Sequence, residues 1–280
     1  MEIDKFLKRV FEGILMGLAN IIPGVSGGTI ALILGIYERL ISAINTIPLT
    51  SPILLLQGKG KEFKTKLDEI DFPFLVPLLI GIGSATLVLA RFIEFFLDEY
   101  TAITFSFFFG LILASAGSLY IRLEDINYKI VFPVSAGFLF AFFVVGLPTF
   151  KTNHSYPMIF FSGAIAIVSM ILPGISGSFI LLSMRQYEYL LNALNTFDMP
   201  VLIVFMVGAV IGLFSFSKGL EYLLKNHRSG TLGFLFGLIL GALRVPVNEG
   251  LSQGPGMIEW MIPAAIGAAL VSYLEFYYQN

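Results

Sequence analysis

A chain of 280 residues that is 56% apolar and only 13% charged is not an ordinary soluble domain, where about a quarter of residues carry charge. Its mean hydropathy is +0.86, and several apolar runs approach or exceed the ~20 residues that a helix needs to cross hydrocarbon. This is the composition of an all-α integral membrane protein. The absence of cysteine excludes disulfides and thiolate metal sites, and the basic clusters are loop-sized, which offers nucleic acid no surface.

In chain order, residues 1–10 carry Glu2, Asp4, Lys5, Lys8 and Arg9 and read as a short interfacial helix; no small-residue cleavage site follows, so no cleaved signal peptide is expected. An apolar stretch over 11–22 is broken at Pro23-Gly24, and a helical pattern resumes over 27–44. A polar loop with Lys59, Lys61, Lys64 and Lys66 leads to spans at about 73–97, 103–121 and 130–148. After a polar link at 149–157, a second broken unit occupies 159–195, and spans follow at about 200–224, 231–243 and 258–278. Proline and glycine inside such runs are tolerated because neighbouring helices re-satisfy the freed backbone.

The two parts of the chain are copies. With a shift of 150 residues, Gly13, Pro23, Gly24, Ser26, Gly27, Tyr37, Glu38, Asn45 and Thr46 match Gly163, Pro173, Gly174, Ser176, Gly177, Tyr187, Glu188, Asn195 and Thr196. Beyond the lysine loop the shift is 127, because the first half is 23 residues longer; Gly81 then meets Gly208, and Phe109–Leu113 meets an identical Phe236–Leu240. The expected organisation is a first repeat over 1–148 (hairpin 11–46) and a second over 149–280 (hairpin 159–195), forming one membrane domain.

Loop Lys and Arg favour the cytoplasm. Both the N-terminal segment and the lysine loop are basic, and the arms between them are short, so a re-entrant hairpin is expected there. Three crossings per half then place nearly all loop Lys and Arg, Lys151 and Arg244 excepted, on one side, with both termini cytoplasmic. An odd number of crossings makes the repeats inverted, the organisation of many secondary transporters. Hairpins that span fully would instead give eight crossings and parallel repeats.

A helix broken at Pro-Gly-x-Ser-Gly frees backbone N–H groups at the start of its second arm, where the helix dipole adds partial positive charge and hydroxyls add donors. Such ends bind phosphate or carboxylate, and glycine lets a ligand approach closely. The expected anion cradle is Gly24, Ser26, Gly27, Gly28 and Thr29 with Gly174, Ser176, Gly177 and Ser178, the helices being broken by Pro23 and Pro173. A tight packing turn is the plainer reading of one copy; two matched copies favour a site. Arg91 with Glu94, and Lys218 with Glu221, stand three residues apart in spanning helices and read either as ion pairs or as phosphate counter-charges and gates. Glu38 and Glu188 are further candidate gates. Arg185, opposite Gly35 in the other repeat, is an outer-side charge for an anion.

Gly24–Gly28 matches G-x-S-x-G, but a nucleophile elbow needs a strand–turn–helix setting, and the only histidines, His154 and His227, fall in expected loops. No catalytic or metal-binding constellation is expected. The strings Asn20-Ile-Ile-Pro-Gly-Val-Ser-Gly-Gly-Thr29 and Met170-Ile-Leu-Pro-Gly-Ile-Ser-Gly-Ser178, each followed by Tyr-Glu, together with the two Phe-x-Phe-Gly-Leu-Ile-Leu strings at 107–113 and 234–240, resemble the PopT polyprenyl-phosphate translocases of bacteria and archaea. The resemblance implies a plasma-membrane flippase that returns undecaprenyl phosphate, or a related polyprenyl phosphate, from the outer to the inner leaflet for cell-wall assembly. It implies no cofactor, although H+ or Na+ coupling would be compatible. A small-anion transporter or channel built on the same hairpins is the alternative.

Overall fold

The computed structural model describes residues 3–21, 26–48, 57–121, 123, 128–146, 153–252, 254 and 256–279, the side chains of 90, 91, 93, 94, 97, 98, 274 and 277–279 excepted. Among these residues all regular structure is helical: α1 (Ile3–Ile21), α2 (Gly27–Ile33), α3 (Tyr37–Asn45), α4 (Gly60–Asp68), α5 (Phe72–Glu99), α6 (Thr101–Ile121), α7 (Tyr128–Val145), α8 (Tyr156–Ile171), α9 (Gly177–Ser183), α10 (Tyr187–Asn195), α11 (Met199–Asn226), α12 (Arg228–Ala242), α13 (Arg244–Leu251) and α14 (Met257–Gln279). Prolines in the first turn open α5, α8 and α11, where the missing N–H has no partner to lose.

Five stretches, in α5, α6, α7, α11 and α12–α13, are long and apolar enough to cross a membrane; α14 contributes a shorter apolar stretch over Met257–Tyr273. The chain is a multi-pass membrane protein. Helix α6 and the α12–α13 stretch are 56% and 61% buried and form the centre, whereas α5, α7 and α11 are only 17–33% buried and turn apolar side chains such as Leu87, Phe132 and Ile203 outward, as lipid-facing helices do.

The duplication is written into the packing. Helix α1 lies on α5 as α8 lies on α11, and α6 pairs with α14 as α12 pairs with α7. A side chain at Gly13 would strike the Leu78 carbonyl, and at its counterpart Gly163 the equivalent Phe205 carbonyl. Gly81 and Gly208 press on the matching carbonyls of Val10 and Phe160. Gly110 meets Ala264 where Gly237 meets Val134, and Gly267 meets Phe107 where Gly137 meets Phe234. Small residues at four pairs of equivalent positions thus bring backbones together, the means by which membrane helices pack without a hydrophobic driving force.

Two details depart from the sequence reading. Residues 1–10 are not a separate interfacial helix, because α1 runs unbroken from Ile3 to Ile21. The stretch 27–44 is not one helix either: α2 and α3 meet at 118°. The turn is a Schellman motif, with Gly35 N–H bonded to Leu32 O at 3.0 Å, Ile36 N–H to Ala31 O at 2.9 Å and Gly35 at φ 69°. Arg185 and Gln186 repeat it, donating to Leu182 O and Leu181 O at 2.9 Å, so Arg185 is held at φ 54° where glycine serves its counterpart. Left-handed backbone costs a non-glycine residue about 1–2 kcal/mol, part of which glycine's greater unfolded-state freedom offsets. Arg185→Gly is therefore expected to stabilise the folded protein by about 0.5–1 kcal/mol in detergent, read as a rise in its unfolding midpoint.

Candidate functional site at the paired helix breaks

The two breaks lie against each other, and they are not in the same state. At the first, Ser26 adopts extended backbone (φ −126°, ψ 140°) and caps α2, its Oγ accepting from Gly28 N–H at 3.1 Å. Gly27 N–H donates to Asn20 Oδ1 at 2.8 Å, and Thr29 N–H to Ser26 O at 2.9 Å. Every N–H in the first turn of α2 is thereby answered within the protein, and all of α2 is buried. On the α2 side the first break is closed. Pro23 and Gly24 lie outside the described residues.

At the second break Ser176 makes no cap. Its Oγ pairs instead with Ser178 Oγ at 2.9 Å, and among the described residues the N–H groups of Gly177, Ser178 and Phe179 meet no acceptor. Pro173 ends the helical backbone of α8, and Gly174 turns the chain at φ 81°. Of these, Gly177 and Ser178 border a cavity of about 320 Å³ lined also by Asn20 and Ser176, with apolar residues of α8, α9 and α11. No lining residue bears a formal charge. Asn20 has its Oδ1 engaged by Gly27 and keeps its amide NH2 as a further donor. Two backbone N–H groups, one hydroxyl left over from the Ser176–Ser178 pair and an amide, set in apolar walls, suit an anion: each is a donor that low dielectric strengthens.

Among the described residues, contacts between the breaks run from side chains of the first half to backbone of the second. Ser26 Oγ donates to Met170 O at 2.9 Å, Tyr37 hydroxyl to Ile171 O at 3.3 Å, and Gly174 N–H to Thr29 Oγ1 at 3.0 Å. Gly28 lies so close to the Ile171 carbonyl that a Cβ would collide with it. The backbone of each break is therefore within van der Waals range of the other, and Ser26, Thr29 and Tyr37 are each no more than 1% exposed.

The candidate charges are elsewhere. The side chains of Arg91 and Glu94 lie outside the described residues. Lys218 and Glu221 do not pair: Lys218 is exposed, and Glu221 takes Lys225 Nζ and Asn45 Nδ2, each at 2.7 Å. Asn45 also bridges to Ser217, which ties the end of α3 to α11. Glu38 forms an exposed pair with Arg228 at 3.0 Å, of the kind that contributes about 0–1 kcal/mol. Glu188 and Arg185 are exposed, and none of these groups lines the cavity. His154 hydrogen-bonds Gln186 and stacks on Tyr189 rather than meeting Ser26 or Ser176, so no nucleophile–base pair forms at either serine.

Sequence reasoning passed over Asn20, Tyr37 and Gln186. Asn20 is the one strongly polar side chain in the apolar run 13–22, and that isolation was the available signal. Gln186 is wholly buried, donating to Asn153 O at 3.0 Å. Glu12, also wholly buried, pairs with Arg9 at 2.6 Å on the face of α1 that packs near Phe74.

The VCA0040-like family, described as undecaprenyl phosphate translocase-like, matches residues 16–252, from before the first break to the end of α13. The chain belongs to this family. It is 41% identical over 238 residues to a polyprenyl-phosphate transporter of Vibrio cholerae serotype O1, covering 85% of this chain and 76% of the relative. It is 31% identical over 257 residues to a polyprenyl-phosphate transporter of Staphylococcus aureus, covering 84% of each. No solved structure matches. The family resemblance of the doubled Pro-Gly-x-Ser-Gly string is thus carried by nearly the whole chain, and the protein is a membrane transporter rather than an enzyme.

Proposed function

We propose that this chain moves undecaprenyl phosphate, or a related polyprenyl phosphate, from the outer to the inner leaflet of the plasma membrane, so that the carrier lipid is used again. The observation that carries the reading is the open second break. The unanswered N–H groups of Gly177 and Ser178, with a hydroxyl of the Ser176–Ser178 pair and the Asn20 amide, offer neutral donors to one group. A phosphate monoester bears about −1.5 to −2 charges and three acceptor oxygens. Neutral donors replace its hydration shell without a fixed cation that would trap it, and the N-terminal end of α9 adds partial positive charge. The prenyl tail stays in hydrocarbon while the head crosses.

In this reading the two repeats are inverted, the hairpins are re-entrant, the termini are cytoplasmic and the two breaks exchange roles. With the first half's hydroxyls locked on the second half's backbone, the second break is open; in the opposite state Ser176 and Tyr187 stand where Ser26 and Tyr37 do here, and the first break opens. Ser178 and Phe179 occupy the places of Gly28 and Thr29, so the two states are held by different contacts and differ in free energy.

The test uses vesicles reconstituted with the full chain and undecaprenyl phosphate, with phosphatase added outside. A protected fraction that exchanges with the accessible one far faster than in protein-free vesicles is expected, with no acceleration for undecaprenol, which lacks the phosphate. Unaccelerated exchange, accompanied by anion currents that need no lipid substrate, would decide for the channel.

A further inference from the structure

Two apolar clefts flank the breaks, built from equivalent residues. The first, of about 450 Å³, lies between α1, α2, α5, α6 and α14. Its counterpart lies between α7, α8, α9, α11 and α12 as two compartments of about 660 and 380 Å³ that share Phe140, Val168 and Leu172. Two pairs of matched positions differ most in side-chain size. Where the first cleft is narrowed by Phe92 and Ile103, the duplication places Gly219 and Gly230 in the second. A Cβ at either glycine would meet nothing within 4 Å, so the extra width is open space and not a close helix contact.

The matched threonines of the two walls turn their hydroxyls to backbone carbonyls. Thr104 spends its hydroxyl on Phe96 O and Thr231 on His227 O, each at 2.9 Å. The wide cleft adjoins the open break, since Ile175 lines both the smaller compartment and the donor-rich cavity.

We infer that the wide cleft holds the methyl-branched isoprenoid chain of the lipid whose head lies at Ser176 and Ser178. This rests on the lipid-phosphate reading above. Lipid tails are as apolar as the cleft, so it gains nothing by hydrophobicity alone; it distinguishes chains by shape. The two missing side chains leave width for branches that a straight chain does not need, and the shared Ile175 wall joins tail to head. The narrower first cleft, beside the closed break, is the same seat in the unloaded half.

The experiment compares undecaprenyl phosphate with hexadecyl phosphate, an unbranched chain, in vesicles holding the full protein or Gly219→Leu/Gly230→Leu. Both substitutions enter open space within helices, where leucine is the better helix former, so the variant folds. Exchange of undecaprenyl phosphate is expected to fall roughly tenfold, and that of hexadecyl phosphate far less, the cost of overfilling one packed site. Unchanged exchange of undecaprenyl phosphate, or an equal fall for both lipids as an ordinary acyl-lipid groove would give, overturns the tail seat. If the unmodified protein accelerates neither lipid, the transport reading itself falls; if Ser176→Ala/Ser178→Ala loses exchange while the glycine variant does not, only the tail seat does.

Discussion

Gly28→Ala is expected to bring leaflet exchange of a polyprenyl phosphate down to the protein-free rate while the protein still inserts and folds. The added methyl has nowhere to go: it collides with the Ile171 carbonyl, and both partners are backbone, which cannot rotate away as a side chain does. Gly28 N–H is also held by Ser26 Oγ, so α2 cannot slide without losing its cap. Overpacking of this kind costs about 1–3 kcal/mol, and here the cost falls on the contact between the breaks alone. A state separated from its alternative by a few kcal/mol is depopulated tenfold for each ~1.4 kcal/mol. A lowered unfolding midpoint in detergent and lost exchange in vesicles are the paired readouts. At the aligned position the second half has Ser178, whose side chain is accommodated, so the collision is particular to Gly28.

Thr29→Val is the second substitution with a large expected effect, and a cleaner one. Valine keeps the shape and removes only the hydroxyl, which stands 1% exposed and accepts from Gly174 N–H. A buried N–H left without a partner costs about 1–3 kcal/mol. Gly174 sits in the turn that sets the open break, so exchange is expected to fall at least several-fold, and Thr29→Ser, which restores the acceptor, to recover most of it. Equal activity of Thr29→Val and the unmodified protein would show that the bond between the breaks is dispensable.

Much of this arrangement was legible before any coordinates. The matched Gly13/Gly163, Gly81/Gly208 and Gly110/Gly237 pairs announced a duplication, and their carbonyl contacts repeat in space as the residues repeat in sequence. The apolar runs gave the spanning helices to within a few residues. The second bend was missed because a lone glycine in a helical pattern reads as a tolerated one; only its pairing with Arg185, at the same left-handed φ, shows the position to be a helix end. The state of each break was not legible at all. Ser26 and Ser176 are the same residue at the same place, yet one caps its helix and the other does not, because Asn20 supports the first break and Met170 stands at its counterpart. Sequence symmetry hid a conformational asymmetry. The charged residues misled in the other direction. Lys218 and Glu221 are neighbours on a helical wheel, but Asn45 and Lys225 claim the carboxylate first.

The most direct measurement of whether the open break carries the phosphate is leaflet exchange of undecaprenyl phosphate by Ser176→Ala/Ser178→Ala in reconstituted vesicles. Hydrogen bonds to a charged group contribute about 1.5–3 kcal/mol each, so losing two hydroxyls is expected to slow exchange at least a hundredfold. The fold should be little affected, since the two hydroxyls bond mainly each other. Exchange at the unmodified rate by a folded Ser176→Ala/Ser178→Ala protein would contradict a phosphate site at the second break.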